Sequence, residues 1–187
     1  MARPRSEDKR EAIIDAATRV IAAEGLGAPT ARIASEAGVA NGSLFTYFAT
    51  KADLLNALYV ELKQEMAALS MSGMPDGDAQ AQLRHAWTRW IGWATSFPEK
   101  RRALALVSSS EDITEASHRA GNRAMAEIAQ LLERCRANGP MRNVPLGFVS
   151  ALMMATAEAT IDFVLSDAAN ATRHSRAGFE ALWRMLT

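Results

Sequence analysis

The sequence predicts an all-α protein of about nine helices. Three observations carry that prediction. Apolar residues recur at intervals of three and four along nearly the whole chain, as one face of a helix requires. No stretch alternates apolar and polar residues as a half-buried strand would, and no repeat is present. Clusters of helix-breaking residues separate the periodic runs, the largest being SMSGMPDGDA at 70–79. That cluster divides the chain into a head of short helices, 1–52, joined by a helix over 51–69 to a helical bundle, 70–187.

The head opens on a helix capped by Ser6, with Glu7 and Asp8 well placed in its first turn. Ile13, Ala17, Val20, Ile21 and Ala23 form its buried stripe, and Gly25 ends it. A second helix spans 30–37, with Ile33, Ala34 and Ala37 on one face. Gly38 stops it, because the residue past a helix end often takes a left-handed backbone that glycine adopts without strain. Val39 plugs the corner, and Asn41 is suited to cap a third helix. That helix is anchored by Leu44, Tyr47 and Phe48, while Thr46 points the other way. Two short helices joined by a tight, Gly-bearing turn are the pattern of a helix-turn-helix. Such a motif sets the N-terminal end of its second helix in the DNA major groove. Here that end offers Asn41, Gly42 and Ser43, all small or polar.

The stretch IASEAGVANGSLFTYFATKADLL resembles the DNA-reading segment of the tetracycline-repressor (TetR) family of bacterial regulators. The resemblance rests on Ile33-Ala34, Ala37-Gly38-Val39, Gly42-Ser43-Leu44-Phe45, Tyr47-Phe48, Lys51 and Leu54, aligned without a gap. It covers about the first third of the chain; the remainder matches in helical layout. It implies a DNA-binding domain over 1–52 and a ligand-binding and dimerisation domain over 70–187. It further implies a homodimer on an inverted-repeat operator of double-stranded DNA, and a small-molecule effector acting through the fourth helix. Candidate DNA contacts are Thr30, Arg32, Asn41, Gly42, Ser43, Thr46, Tyr47 and Lys51. Lys51 opens the fourth helix, where the dipole disfavours a cation and a nearby phosphate would offset that cost. The Thr30 hydroxyl suits a helix cap and a phosphate equally. Arg3 and Arg5 read either as a plain tail or as an arm for the minor groove. The family often has Ser, Lys and Tyr where this chain has Ala40, Asn41 and Phe45, so this head carries fewer phosphate ligands.

Composition sets limits on that reading. The chain has 187 residues, 49% hydrophobic and 22% charged, with 21 basic and 21 acidic side chains. Through Lys51 the basic residues are Arg3, Arg5, Lys9, Arg10, Arg19, Arg32 and Lys51. The acidic ones are Glu7, Asp8, Glu11, Asp15, Glu24 and Glu36, an excess of one positive charge. Composition alone does not single out a nucleic-acid binder. The one cysteine, Cys135, precludes an internal disulfide and fits a reducing, cytoplasmic setting. It reads as a small buried residue or as a thiol activated by Arg134 and Arg136. No apolar run is expected to reach the length of a membrane span, and the polar N-terminus is unlike a signal peptide.

The body should be helical throughout. Leu54, Leu55, Leu58 and Leu62 face inward on the helix that leads to it. Leu83, Trp87, Trp90, Ile91 and Ala94 repeat at helical spacing up to Phe97. Pro98 starts a short helix through about 107. Asp112 and Glu115 resemble a capping box for a helix running to Ala137, with Ala124, Ile128, Leu131, Leu132 and Cys135 on one face. An Ala- and Met-rich helix covers 145–167, and a last helix follows Ser175. For a small-molecule pocket the candidate walls are Trp87, Trp90, Trp93, Phe97, Leu104, Met125, Ile128, Met153, Met154 and Phe163, with Thr156 and Glu158 as polar contacts. Glu158 and Asp162 read either as ligand contacts or as partners of arginines such as Arg123 and Arg184. Ala151, Ala155 and Ala159 with Phe179, Leu182, Trp183 and Leu186 are the expected dimer face.

His85, His118 and His174 lie in separate segments without metal-ligand spacing, and neither a Gly-rich phosphate loop nor an activated nucleophile is recognisable. No enzyme, cofactor or metal is expected. Two functional classes follow: a ligand-responsive, dimeric DNA-binding regulator, most simply a repressor released by a mostly apolar effector, and a helical small-molecule-binding or interaction protein with a weakened head. Operator binding separates them.

Overall fold

The structure, a computed structural model, describes residues 5–187, with side chains from Glu7 onward. The roles assigned to Arg3 and to the Arg5 and Ser6 side chains lie outside that range. Ten α-helices and no strand are present among the described residues. They are α1 (Arg5–Glu24), α2 (Thr30–Glu36), α3 (Asn41–Tyr47), α4 (Lys51–Met71) and α5 (Ala79–Ser96), then α6 (Pro98–Ser108), α7 (Glu115–Ala124), α8 (Ala126–Arg136), α9 (Leu146–Ser166) and α10 (Ala171–Leu186). A 3-10 turn, Ala168–Asn170, leads into α10.

The helices form two compact units. The first runs to Gln64 and takes in Phe97–Arg123. The second comprises Glu65–Ser96 and Ala124–Thr187. The sequence boundary at 70–79 is a different partition, since the packing cuts within α4 and gives α6 and α7 to the first unit.

In the first unit α1 packs against α2 and α6, and α2 against α3. Ile13, Ile21, Ile33, Leu44, Leu54, Leu55 and Leu58 are fully buried there. Arg10 ties three elements together. Its guanidinium pairs with Glu61 of α4 at 2.5 Å and lies 5.4 Å from the centre of the Phe48 ring. The Asn56 side chain fastens the loop before α7: its amide donates to the Asp112 carbonyl at 2.8 Å and its oxygen accepts from the Thr114 backbone N–H at 2.9 Å. This fork moves the cap of α7 from the expected Asp112–Glu115 pair. Thr114 is the capping residue, accepting from the Ser117 N–H at 3.2 Å.

In the second unit α10 lies along α9 and on α5, and α5 also meets α8 and α9. Gly178 permits the close approach of α10. A Cβ there would stand 2.1 Å from the Thr160 hydroxyl and 2.9 Å from the Trp87 ring. Arg136, though charged, is buried, held by Glu133 and by the carbonyls of Met141 and Val144. It thereby shapes the loop between α8 and α9.

Two element boundaries, and the apolar character of α9, depart from the sequence reading. The run expected from 112 to 137 is two helices, interrupted at Met125 (φ −88°, ψ 3°). The interruption falls where the chain passes from the first unit to the second, so α7 and α8 each follow their own partners. Helix α10 begins at Ala171, before Ser175. Its entry is organised by Asp167, whose carboxylate accepts from Asn170 and contacts the His174 ring at 2.9 Å. Finally, α9 is long and apolar enough to cross a membrane by length and composition, with only 33% of that apolar stretch buried. The reason is that it is apolar on two faces. Val149, Met153, Ala157 and Ile161 face the core, while Phe148, Ala151, Ala155, Ala159 and Phe163 are exposed.

The contact with His174 is the largest influence holding the Asp167 carboxyl below its usual value, with Asn170 adding to it. A depressed folded-state pKa contributes stability that is complete above the unfolded value of 3.8 and is lost as pH falls through the folded one. Asp167→Asn should therefore be less stable than the parent near neutral pH. The difference should close in strong acid, as urea unfolding followed by circular dichroism at the two pH values would show. A difference independent of pH would rule out the charged pair as its origin.

Candidate nucleic-acid interface

The geometry of the head follows from one backbone feature. Gly38 has φ +67°, the left-handed conformation that ends α2 and turns the chain. The turn is closed by the Val39 N–H donating to the Ala34 carbonyl at 3.0 Å and the Gly38 N–H to Ser35 at 3.2 Å. Helix α3 then starts at Asn41. Its cap is Ala40, in extended conformation, and no side chain bonds the first amides. Asn41 is therefore the first helical residue and not the cap. The register frees its side chain from local duty.

Leu44 and Phe48 sink into the unit, leaving 0% and 4% of their surface accessible. Opposite them Asn41, Gly42, Phe45 and Thr46 are exposed, with Ser43 and Tyr47 half-buried at the flanks. Thr30 is half-buried at the start of α2, and Pro29 takes the capping position. The structure thus gathers the α3 candidates on one outward surface. It also exposes Phe45, at 42%, which the sequence reading treated as a departure and not as a contact. The signal was present: Phe45 lies off the Leu44–Tyr47–Phe48 stripe, so nothing in its own helix covers it.

The two cations behave differently from expectation. Arg32 donates to Glu24 at 3.1 Å and to Glu36 at 3.2 Å, while Arg19 donates to Glu36 at 3.0 Å. Arg19 first and Arg32 second hold the Glu36 carboxyl below its usual value. The Arg32 charge is therefore answered within the head by an acid one turn along α2 and another at the end of α1. Lys51 is half-buried, and its ammonium donates to the Leu26 carbonyl at 2.6 Å, fastening the start of α4 to the loop before α2.

The second unit holds a small, partly enclosed apolar cavity lined by Met66, Ser70, Leu83, Ala86, Trp87 and Trp90, with Met125, Ile128 and Met153 completing it. Its free space, about 20 Å³, accommodates roughly one water. Five of the expected walls meet here: Trp87, Trp90, Met125, Ile128 and Met153. The others do not. Trp93 is buried with its indole N–H donating to Glu65 at 3.0 Å. Phe97 is exposed and Leu104 is core, both in the first unit. Met154, Thr156 and Glu158 line no part of the cavity, and Phe163 is 61% exposed. Glu158 and Asp162 both have interaction partners. Met66 and Ser70 were missed, although Met66 continues the inward stripe one turn beyond Leu62. The Cys135 thiol is pushed up to about 11, chiefly by burial, and contacts the Ala79 carbonyl at 3.4 Å. A thiol so placed stays protonated, which removes the activated reading.

The expected dimer face also divides. Phe179, Leu182 and Leu186 are 0–1% exposed, consumed by the core of their own unit. Trp183 stacks on Phe179. Ala151, Ala155 and Ala159, by contrast, form one outward stripe with Phe148 and Phe163.

Residues 13–58 match the family model for bacterial regulatory proteins, tetR family. A tetR family transcription regulator from Shewanella sp. PV-4 is 27% identical, with 94% of this chain and 96% of that one covered at a TM-score of 0.83. One from Marinobacter aquaeolei VT8 is 20% identical, with 99% and 98% covered and a TM-score of 0.87. LfrR from Mycobacterium smegmatis, solved in complex with proflavine, is 21% identical, with 94% and 95% covered and a TM-score of 0.70. Together with the helix-turn-helix geometry, these likenesses identify residues 13–58 as a tetR-family segment and give the whole chain the fold of the solved tetR-family transcription regulators.

Proposed function

We propose that the protein is a cytoplasmic, dimeric repressor that leaves an inverted-repeat operator when a small, mostly apolar effector enters the second unit. The observation that carries this reading is the outward surface of α3, where Asn41, Gly42, Phe45 and Thr46 stand together on a helix anchored by Leu44 and Phe48. The functional division is into a reading head, 1–52, a connecting helix and a body, 70–187. Asn41 and Thr46 have the chemistry to meet base edges, and Phe45 to pack on a thymine methyl. The exposed α9 stripe is a suitable dimer seam, because small residues allow close helix approach and the flanking phenylalanines supply apolar area. A two-fold dimer would place two heads about one DNA turn, ~34–36 Å, or a multiple apart. The cavity supports the effector reading through its aromatic and methionine walls, and proflavine on LfrR is a planar aromatic example. Room for about one water means that any effector must enlarge it. Met66 and Met125 line it near the points where the chain leaves the unit, so enlargement reaches both.

Selection of bound fragments from genomic DNA should recover an inverted repeat, and log affinity for it should fall linearly with log salt. Phe45→Ala should cost about 1–3 kcal/mol of discrimination at a thymine in each half-site. Lys51→Ala should weaken binding to all sequences alike and flatten the salt slope by about one unit. An unchanged slope would leave Lys51 as the fastener of the Leu26 loop alone. Recovery of no fragment above background would favour an interaction protein with an idle head.

Ala155→Glu should leave the helical content intact, since the position is exposed within the protomer, yet give monomers by analytical ultracentrifugation and operator affinity lowered at least tenfold. A persisting dimer would place the seam elsewhere.

Proflavine, used as a probe, should quench tryptophan emission and weaken operator binding; tenfold weakening corresponds to about 1.4 kcal/mol of coupling. Ala86→Leu narrows the cavity and should abolish that response while sparing operator binding. A full response in this variant would remove the cavity from the mechanism.

A further inference from the structure

The second unit carries a groove that the regulator reading does not use. It lies between α5, the end of α9 and the first half of α10, with a volume of about 410 Å³, which is within the range of small-molecule sites. Trp87, Ile91, Val164 and Phe179 give it an apolar floor. Arg84 and Arg176 stand among its walls, and no carboxylate lines it. Ala171 and Thr172, in the first turn of α10, complete one end, where the helix dipole adds positive potential. The Arg84 guanidinium rests over the Phe179 ring at 4.5 Å from its centre. Glu180, a carboxylate neighbour, is 3.7 Å away and half-exposed, a contact weak enough to be exchanged.

We propose that this groove binds an amphipathic anion. The oxyanion head meets the guanidinium groups of Arg84 and Arg176, whose planar forks suit a carboxylate. The apolar body lies on Trp87, Ile91 and Val164. A neutral or cationic amphiphile of equal length would forgo the first interaction or oppose it. Trp87 gives the site a second property, because the same indole also lines the apolar cavity. Its N–H donates to the Ser175 carbonyl at 3.0 Å, which holds the ring as the wall between the two spaces. Whatever lies in the groove therefore touches a residue of the cavity, and tryptophan emission reports on it directly.

The test uses the full chain without DNA, so its outcome is independent of the regulator reading. Decanoate, decanol and decyltrimethylammonium serve as probes, followed by calorimetry and tryptophan emission. Decanoate should bind with a shift in emission, decanol at least tenfold more weakly, and the ammonium not at all. The double variant Arg84→Gln, Arg176→Gln should lose at least tenfold in decanoate affinity and none in decanol affinity. Gly92→Leu fills the groove from a helical position where an added Cβ meets nothing within 4 Å, and should abolish decanoate binding with circular dichroism unchanged. Ala86→Leu, in the cavity, should leave decanoate binding as it is. The proposal is overturned if the parent protein does not bind decanoate, or if the double variant binds it undiminished. It is overturned equally if Ala86→Leu abolishes binding while Gly92→Leu keeps it, since the ligand would then occupy the cavity.

Discussion

The second unit depends on how one indole is held. Trp87 bonds the carbonyl of Ser175, meets Trp90 edge-on at 6.1 Å and Phe179 at 6.5 Å, and lies beneath the point where Gly178 brings α10 down. A buried indole costs free energy unless its N–H finds an acceptor, and here the acceptor is a backbone group of the neighbouring helix. That bond fixes the distance from α5 to α10. With the distance set, Phe179, Leu182 and Leu186 have only one place to go, and α10 spends its apolar face inside the protomer. Everything the unit offers outward is what remains: the α9 stripe on one side, the cationic groove on another, and a cavity closed by the same ring.

The head obeys a different constraint. Around a core of Ile13, Ile21, Ile33 and Leu44, its form rests on a turn that needs a left-handed residue and on polar fasteners at its edges. Gly38 supplies the first. Arg10, Lys51 and the Arg19–Glu36–Arg32–Glu24 chain supply the second. These fasteners use charges that the sequence alone suggests are available to a partner. Arginines and lysines near a helix-turn-helix have two kinds of work, and linear order does not say which they do.

That distinction explains what could be read before the structure. Helix existence was legible because periodicity at three and four is a property of the chain itself, and the Gly38 turn because only glycine fits it cheaply. The family resemblance fell on the residues that shape the turn, and its α3 candidates Asn41, Gly42 and Thr46 are exposed together. Less visible was anything set by a neighbour. The stripe Phe179, Leu182, Leu186 announces an apolar face, but periodicity cannot say whether the chain itself or a second copy covers it. The break at Met125 follows from the two units and not from a breaker residue. The cap at Thr114 depends on Asn56, some sixty positions away in sequence. Asn41 moved by one place from cap to first turn, within the ordinary blur of helix ends, yet that shift decides whether its side chain serves the helix or the surface.

The internal pairing of Arg32 has a kinetic meaning. Attraction to arbitrary DNA comes mainly from cations that displace condensed counterions from phosphates. With its guanidinium facing Glu24 and Glu36, Arg32 would offer less of that charge at first encounter than an unpaired arginine. On the function proposed above, the head would dwell more briefly on foreign sequence. On that reading, only matching base edges at the α3 surface would hold it long enough for Arg32 to exchange its carboxylates for a phosphate. The ion pairs would then act as a delay on commitment, shortening each sampling event on the wrong DNA and leaving more of the protein in solution to find the right one.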